Sequence, residues 1–302
     1  MNQFILVANS TIDETAAYYT SNGIRCASLS FTIDGMTVKE DFGATLTFHD
    51  FFEKLREGKT STTSQAQVGD YLAFFRDACE QGLDVVYVGF SSGLSGSFDA
   101  GCIAAREVQE DFPGRTIRCV DSLCAAGGEC ILVEEAVRLR NLGKTADECA
   151  DALEALKLHI VHLVTVDDLN HLWRGGRVSR TSAVLGTLVG IKPVIYLNDA
   201  GKLEVCHKVR GRRQSLEYLG DELLRQLGER EAALGIPAAE NRAQHVRISH
   251  GDCEADAQYL ADYLHARGVP NVEIRMIDTV IGSHTGPGVV ALFGVGYERR
   301  AF

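Results

Sequence analysis

The stretch Asp84-Val85-Val86-Tyr87-Val88-Gly89-Phe90 is apolar almost without interruption. A strand with one face in water alternates polar and apolar residues, so an unbroken run of this kind predicts a parallel strand covered on both faces. Parallel neighbours need crossover connections, usually helices. The chain supplies them. Residues 4–8 predict a first strand, with Asn9-Ser10-Thr11 as a cap for the helix after it. Residues 24–33 form a second apolar run, closed by the turn signal Asp34-Gly35. Helical spacing appears over 48–55 and over 68–81, where Val68, Leu72, Phe75 and Cys79 share a face and Gly82 ends the element. A helix over 98–108, a strand over 116–120 and a helix over 131–142 complete the alternation. That order predicts right-handed βαβ units and a parallel sheet.

The second half reads differently. Strands are expected over 159–166 and 193–197, and Asn198-Asp199-Ala200-Gly201 turns the chain into another over 203–208. This is a hairpin signature and predicts antiparallel pairing. Amphipathic helices fall over 214–227 and 255–267, with further strands over 245–250, 272–277 and 289–293. The expected architecture is therefore α/β with two domains. Residues 1–155 form a parallel βαβ domain, and residues 156–302 form an α/β domain with a mixed or antiparallel sheet.

Composition narrows the partners. The net charge is −11 with a pI near 5.3, which argues against nucleic acid or an anionic membrane as the main partner. No apolar run is long enough for a membrane span, and the start lacks the pattern of a signal peptide. The nine cysteines include no C-x-x-C pair, and the spacing of Cys119, Cys124 and Cys130 fits no common zinc site. Reduced thiols and a cytoplasmic location are expected, with no metal.

Five short motifs carry the chemistry. They are Thr63-Ser64-Gln65, the segment from Ser91 to Ser97 (SSGLSGS), Val120-Asp121-Ser122, the turn from Arg174 to Ser179 (RGGRVS), and Gly282-Ser283-His284-Thr285-Gly286-Pro287-Gly288. A strand that ends in the SSGLSGS turn and opens a helix is expected to present free N–H groups and hydroxyls to an anion at the C-terminal sheet edge. Thr63 and Ser64 precede a helix and could equally cap it. His284 sits in what reads as a Gly- and Pro-stiffened loop, suited to meeting a carboxylate. Arg174 and Arg177 flank a Gly-Gly turn, and arginine recognises phosphate or carboxylate through paired N–H groups. The basic run 208–213 is either solvated or faces an acidic partner. His159, His162, His245, His250 and Trp173 read as structural.

A hydrolase remains an alternative. Gly93-Leu94-Ser95-Gly96-Ser97 resembles a nucleophile elbow, and Ser95, Asp278 and His284 follow in triad order, although Ser97 stands where the elbow needs Gly. A small-anion-binding regulatory module is the second alternative. No nucleotide-binding motif is present.

Taken in register, the motifs resemble the DegV family of bacterial fatty-acid-binding proteins. Asp34-Gly35, Gly69-Asp70, Gly190-Ile191-Lys192-Pro193 and Val209-Arg210-Gly211-Arg212 extend the likeness nearly end to end. The resemblance implies a lipid-binding protein, not an enzyme, with a long-chain fatty acid in a tunnel between two domains. It implies a carboxylate held by Thr63, Ser95 and His284, with Ser64, Ser92, Gly93, Gly96 and Asn9 around the head group. It further implies that a separate fatty acid kinase phosphorylates the bound carboxylate for phospholipid synthesis, with Arg177 and Arg174 facing kinase or phosphate, and no cofactor. The chain departs from the family pattern at Asn9 (usually Asp), at Ala66 and Gln67 (usually Pro and Ser), and at the bulky Trp173.

Overall fold

The computed structural model describes residues 4–179 and 190–299; Met1 to Gln3, at the start of the first apolar run, lie outside them. In chain order the first half contains β1 (Phe4–Asn9), α1 (Ala16–Ser21), β2 (Ile24–Ala27), β3 (Ser30–Ile33), β4 (Met36–Lys39), α2 (Phe48–Arg56), β5 (Ser61–Ser64), α3 (Val68–Glu80), β6 (Asp84–Gly89), α4 (Ser97–Asp111), β7 (Ile117–Asp121), α5 (Ala126–Asn141) and α6 (Ala146–Leu156). The second half contains β8 (Ile160–Thr165), α7 (Asn170–Arg174), β9 (Ile191–Leu197), β10 (Leu203–Arg210), α8 (Arg212–Leu234), α9 (Ala238–Arg242), β11 (Val246–His250), α10 (Glu254–His265), β12 (Val272–Met276), α11 (Thr279–Thr285) and β13 (Val290–Val295).

The apolar run becomes β6, an inner strand of a four-stranded sheet ordered β2-β1-β6-β7 and parallel throughout. Val85, Val86, Tyr87 and Val88 are each at most 1% exposed, because helices cover both faces as continuous apolarity requires. The second half builds a six-stranded mixed sheet, β10-β9-β8-β13-β11-β12, antiparallel except for the β11–β12 edge. Fold class and both sheet types follow the expectation.

Several local expectations are corrected. The run over 24–33 is two strands, not one. β2 joins the parallel sheet, whereas β3 pairs antiparallel with β4 and β5 in a separate three-stranded sheet. Thr63 and Ser64 therefore sit in β5 and cap nothing; Gln67 holds the N-cap position of α3 without a side-chain bond to the helix. Asn9-Ser10-Thr11 caps no helix either, since α1 is capped by Thr15. α5 starts five residues earlier than its apolar periodicity suggested. A Cβ at Gly127 would meet Phe293 at 2.7 Å and one at Gly128 would meet His162 at 2.2 Å, so the glycines allow close packing on β8 and β13. The sequence reading missed α6, although its capping box, Thr145 with Glu148, is a legible start signal.

α11 matters most for the site. The Gly-Pro-Gly context suggested a loop, but Asp278 caps a short helix that carries Ser283 and His284. This helix comes from the second half of the chain and docks on the first. Gly282 lies under the rings of Phe51 and Phe52, Val280 joins the core around β1, β6 and α3, and Ser283 Oγ meets Ser61 Oγ at 2.7 Å.

Candidate functional site

Both halves wall a cavity of about 1070 Å³, open mouth included. Its body is apolar: Leu29, Phe90 and Leu94 from the first half face Val164, Ile195, Leu197, Ala291 and Phe293 from the mixed sheet, with Val280 and Ile281 of α11. Alternation puts Ala291 and Phe293 on one face of β13, beside Val164 and His162 of β8. The polar lining includes Thr63, Gln65, Ser95, Arg177 and His284. A smaller, polar basin adjoins it, lined by Thr60, Thr62, His171 and Arg174, and it shares Thr63, Arg177 and His284 with the cavity.

Thr63, Ser95 and His284 are thus brought to one cavity from β5, the turn before α4, and α11. Thr63 Oγ1 lies 2.8 Å from His284 Nε2. Nδ1 of the same ring is buried without a hydrogen-bond partner and faces Gly175, where a Cβ would stand 2.1 Å away. Burial, reinforced by the nearby Arg177 charge, lowers the His284 pKa to about 4, so the ring is neutral at neutral pH. Ser95 Oγ lies 3.0 Å from Ser97 Oγ and accepts the Ser97 N–H at 3.2 Å.

The SSGLSGS turn departs from the expected cradle of free N–H groups. Ser91 N donates to Cys124 O, Ser92 N to Asp121, Gly93 N to Ser91 Oγ, and both Leu94 N and Ser95 N to Ser91 O. The N–H groups of Ser91 to Ser95 are thus taken by the turn and by Cys124 and Asp121 beside it, and the polar side chains lining the cavity are those of Thr63, Gln65, Ser95, Arg177 and His284. The Val120-Asp121-Ser122 motif supports this turn: Asp121 Oδ1 accepts from Ser92 N and Leu123 N, each at 3.1 Å.

The remaining expected residues are placed as follows. Gly96 lines the cavity, and its missing side chain leaves room for Gln65, whose Oε1 would be 2.3 Å from a Cβ. Gly93 packs on the β9–β10 turn, where a Cβ would be 2.5 Å from Ala200 O. Ser64 and Ser92 are exposed and do not line the cavity. Asn9 is fully buried behind the turn, away from the lining. Its Oδ1 accepts from Phe90 N (3.0 Å) and Tyr87 Oη (2.9 Å), and its Nδ2 donates to Ala27 O (3.0 Å) and Tyr71 Oη (2.8 Å). A carboxylate there could not donate to the Ala27 carbonyl, which gives the amide at this position a physical reason.

Arg177 is half-buried. Its Nε and Nη2 donate to Leu94 O at 3.1 and 2.8 Å, and Nη1 donates to Gly175 O at 2.5 Å. Among the described residues no carboxylate pairs with it, and burial lowers its pKa. It ties the serine turn to the segment under His284. Arg174 is exposed on the rim, 3.2 Å from His171 Nδ1. In the basic run, Arg212 turns inward to Asp256 and Gly288 O, at 2.8 and 2.7 Å.

No triad is assembled. Asp278 Oδ1 accepts from Val280 N and Ile281 N as a helix cap, and among the described residues no hydrogen bond joins Ser95 to His284. Sequence reasoning also missed Gln65, Gly175 and the lining role of His162. His162 had been read as structural, and both ring nitrogens are bonded, to Ile160 O and Ala125 N. Gln65 and Gly175 carried a signal, as the last residue of the Thr63–Gln65 motif and the first glycine of the Arg174–Arg177 turn; His162 carried none.

A DegV domain-containing protein of Clostridium perfringens is 35% identical over 301 residues, covering 99% of this chain and 100% of the relative. The structure of a DegV family protein from Thermus thermophilus, described as binding fatty acid, matches with a TM-score of 0.83 at 28% identity, over 98% of this chain and 100% of that one. A fatty acid binding DegV family protein from Streptococcus agalactiae matches with a TM-score of 0.79 at 25% identity, over 97% and 98%. A family model described as an uncharacterised protein of the DegV family matches residues 3–296, and the chain belongs to that family.

Proposed function

We propose that this protein binds a long-chain fatty acid, holds its carboxylate with Thr63, Ser95 and His284, and presents it to a separate fatty acid kinase. The observation that carries the reading is one cavity with an apolar body and a small hydroxyl–imidazole group in its wall. Burying an acyl tail contributes about 0.8 kcal/mol per CH₂, and a buried carboxylate needs donors. With its proton on Nε2, His284 donates to Thr63, which leaves the Thr63 O–H for one carboxylate oxygen. When Ser97 donates to Ser95, the Ser95 O–H is free for the other. The fatty-acid-binding relatives support the same ligand class.

The role is binding rather than catalysis. A carrier of this kind leaves ATP chemistry to its partner, and the polar basin beside the head-group residues is where a phosphoryl group would approach. Arg174 on the rim is then a kinase or phosphate contact, while Arg177 holds the serine turn beside that approach. We place the boundary between the domains near residue 155 and the protein in the cytoplasm. No described helix is long and apolar enough to cross a membrane. A small-anion module is disfavoured because so much of the lining is apolar.

Native and denaturing mass spectrometry of protein purified from a bacterial host tests the ligand. A fatty acid that co-purifies and is released on denaturation is the expected result. Protein that is empty and refuses added fatty acid overturns the reading. Phosphorylation of the bound acid by a purified fatty acid kinase, lost in Arg174→Glu, tests presentation.

A further inference from the structure

α11, which presents His284, begins beside a group of buried acids. Asp278 caps it, and Asp278 N donates to Asp13 Oδ1 at 3.2 Å. Asp13 belongs to the segment between β1 and α1 and has φ of 54°, a left-handed conformation that costs energy in a non-glycine residue. The Asp13 carboxyl therefore sits against the first turn of α11, and the two acids interact electrostatically. They are 5% and 2% exposed, and Oδ2 of each has no hydrogen-bond partner.

Two ionised carboxylates are acceptors only, so neither can satisfy an orphaned oxygen of the other. One proton between them converts two orphaned acceptors into a donor and an acceptor, as in other close carboxyl pairs. We propose that Asp13 and Asp278 share a proton, and that this proton positions α11 and hence His284, so that ligand retention weakens as the proton is lost.

The surroundings favour retention of that proton. Ser249 of β11 acts the other way, lowering the pKa of Asp13. Arg247 on the same strand is the cation acting on Asp13, but it is already paired with Glu14, Glu134 and Glu273. Glu40 adds negative charge toward Asp278 while holding Thr279 Oγ1, and Glu129 and Cys130 of α5 also interact electrostatically with Asp13. Burial raises Asp13 to about 6 and Asp278 well above the usual carboxylate range. The sign follows: a group whose folded pKa is raised holds its proton at low pH and loses it as pH rises through the folded value.

The test is the pH profile of fatty-acid affinity in wild type, Asp13→Asn and Asp13→Ala, with the ligand's own ionisation common to all three. Wild type should lose affinity on the alkaline side, by about tenfold per pH unit at the steepest. Asp13→Asn supplies a permanent N–H donor and should flatten that limb, whereas Asp13→Ala should bind more weakly at every pH. An Asn variant with the wild-type limb overturns the proposal. Should Asp13→Asn fail to fold, ¹³C NMR of aspartate carboxyls in wild type decides: a carboxyl still protonated at neutral pH supports it, and full ionisation sinks it. The ligand readout rests on the fatty-acid reading, but the NMR does not. Wild type that never binds fatty acid yet keeps the proton defeats that reading alone.

Discussion

Thr63 and His284 lie 221 positions apart and meet at 2.8 Å. Their contact puts side chains at the polar end of the cavity, whereas the N–H groups of Ser91 to Ser95 are already bonded. Thr63→Ala combined with Ser95→Ala should therefore weaken fatty-acid binding by about 1–3 kcal/mol, the cost of leaving a buried acceptor unsatisfied. Calorimetric titration with an oleate-like ligand checks this, and unchanged affinity would remove both residues from the site. His284 gives a pH test. Its folded pKa is about 4, below the ordinary 6.5, so between those values the unfolded chain takes up a proton that the folded one refuses. Native stability consequently falls as pH drops through that window. Replacing the ring by Gln should flatten part of the acid slope of the melting temperature; an identical slope would show that the ring titrates normally.

At the level of elements, the site depends on two short pieces, α7 with its glycine turn and α11. Gly175 and Gly176 are neighbours with opposite roles. Gly175 has φ of −72°, open to any residue, but its Cβ position collides with the His284 ring. Gly176 has φ of +74° with nothing within 4 Å. Gly175→Ala should displace the imidazole and lower ligand affinity while the melting temperature moves little. Gly176→Ala should cost about 1–2 kcal/mol of stability with affinity retained. Measuring both quantities on both variants distinguishes steric crowding of the site from backbone strain. Equal losses of affinity would reject the Gly175–His284 contact as the cause.

Across the whole molecule, the halves are joined by charge as well as by α11. Arg247 of β11 is 1% exposed and bonds Glu14 and Glu134 of the first half. Breaking such a buried network leaves uncompensated charge, so Arg247→Ala should cost about 3–5 kcal/mol. Arg247→Met refills the volume but strands the same acids, so it should recover only part of that loss. Urea unfolding followed by tryptophan fluorescence and circular dichroism gives both numbers, and a cost below about 1 kcal/mol would show the network to be incidental.

Much of this was legible without coordinates. Strand–helix alternation and the unbroken run at 84–90 determined a parallel sheet, because side-chain periodicity reports which faces are buried. The Asn198–Gly201 turn determined an antiparallel hairpin for the same local reason. The motifs, read in register, determined the family and singled out Thr63, Ser95 and His284 as residues to examine. Tertiary structure alone decided that β3 leaves the apolar run for a third sheet and that the N–H groups of Ser91 to Ser95 are taken by the turn and its neighbours Cys124 and Asp121. It also decided that Arg177 braces that turn and that a helix from the far end of the chain lands on the first half. These outcomes depend on contacts between residues far apart in sequence. Local propensity and spacing carry no record of which distant group will meet a given hydroxyl, ring or carboxyl.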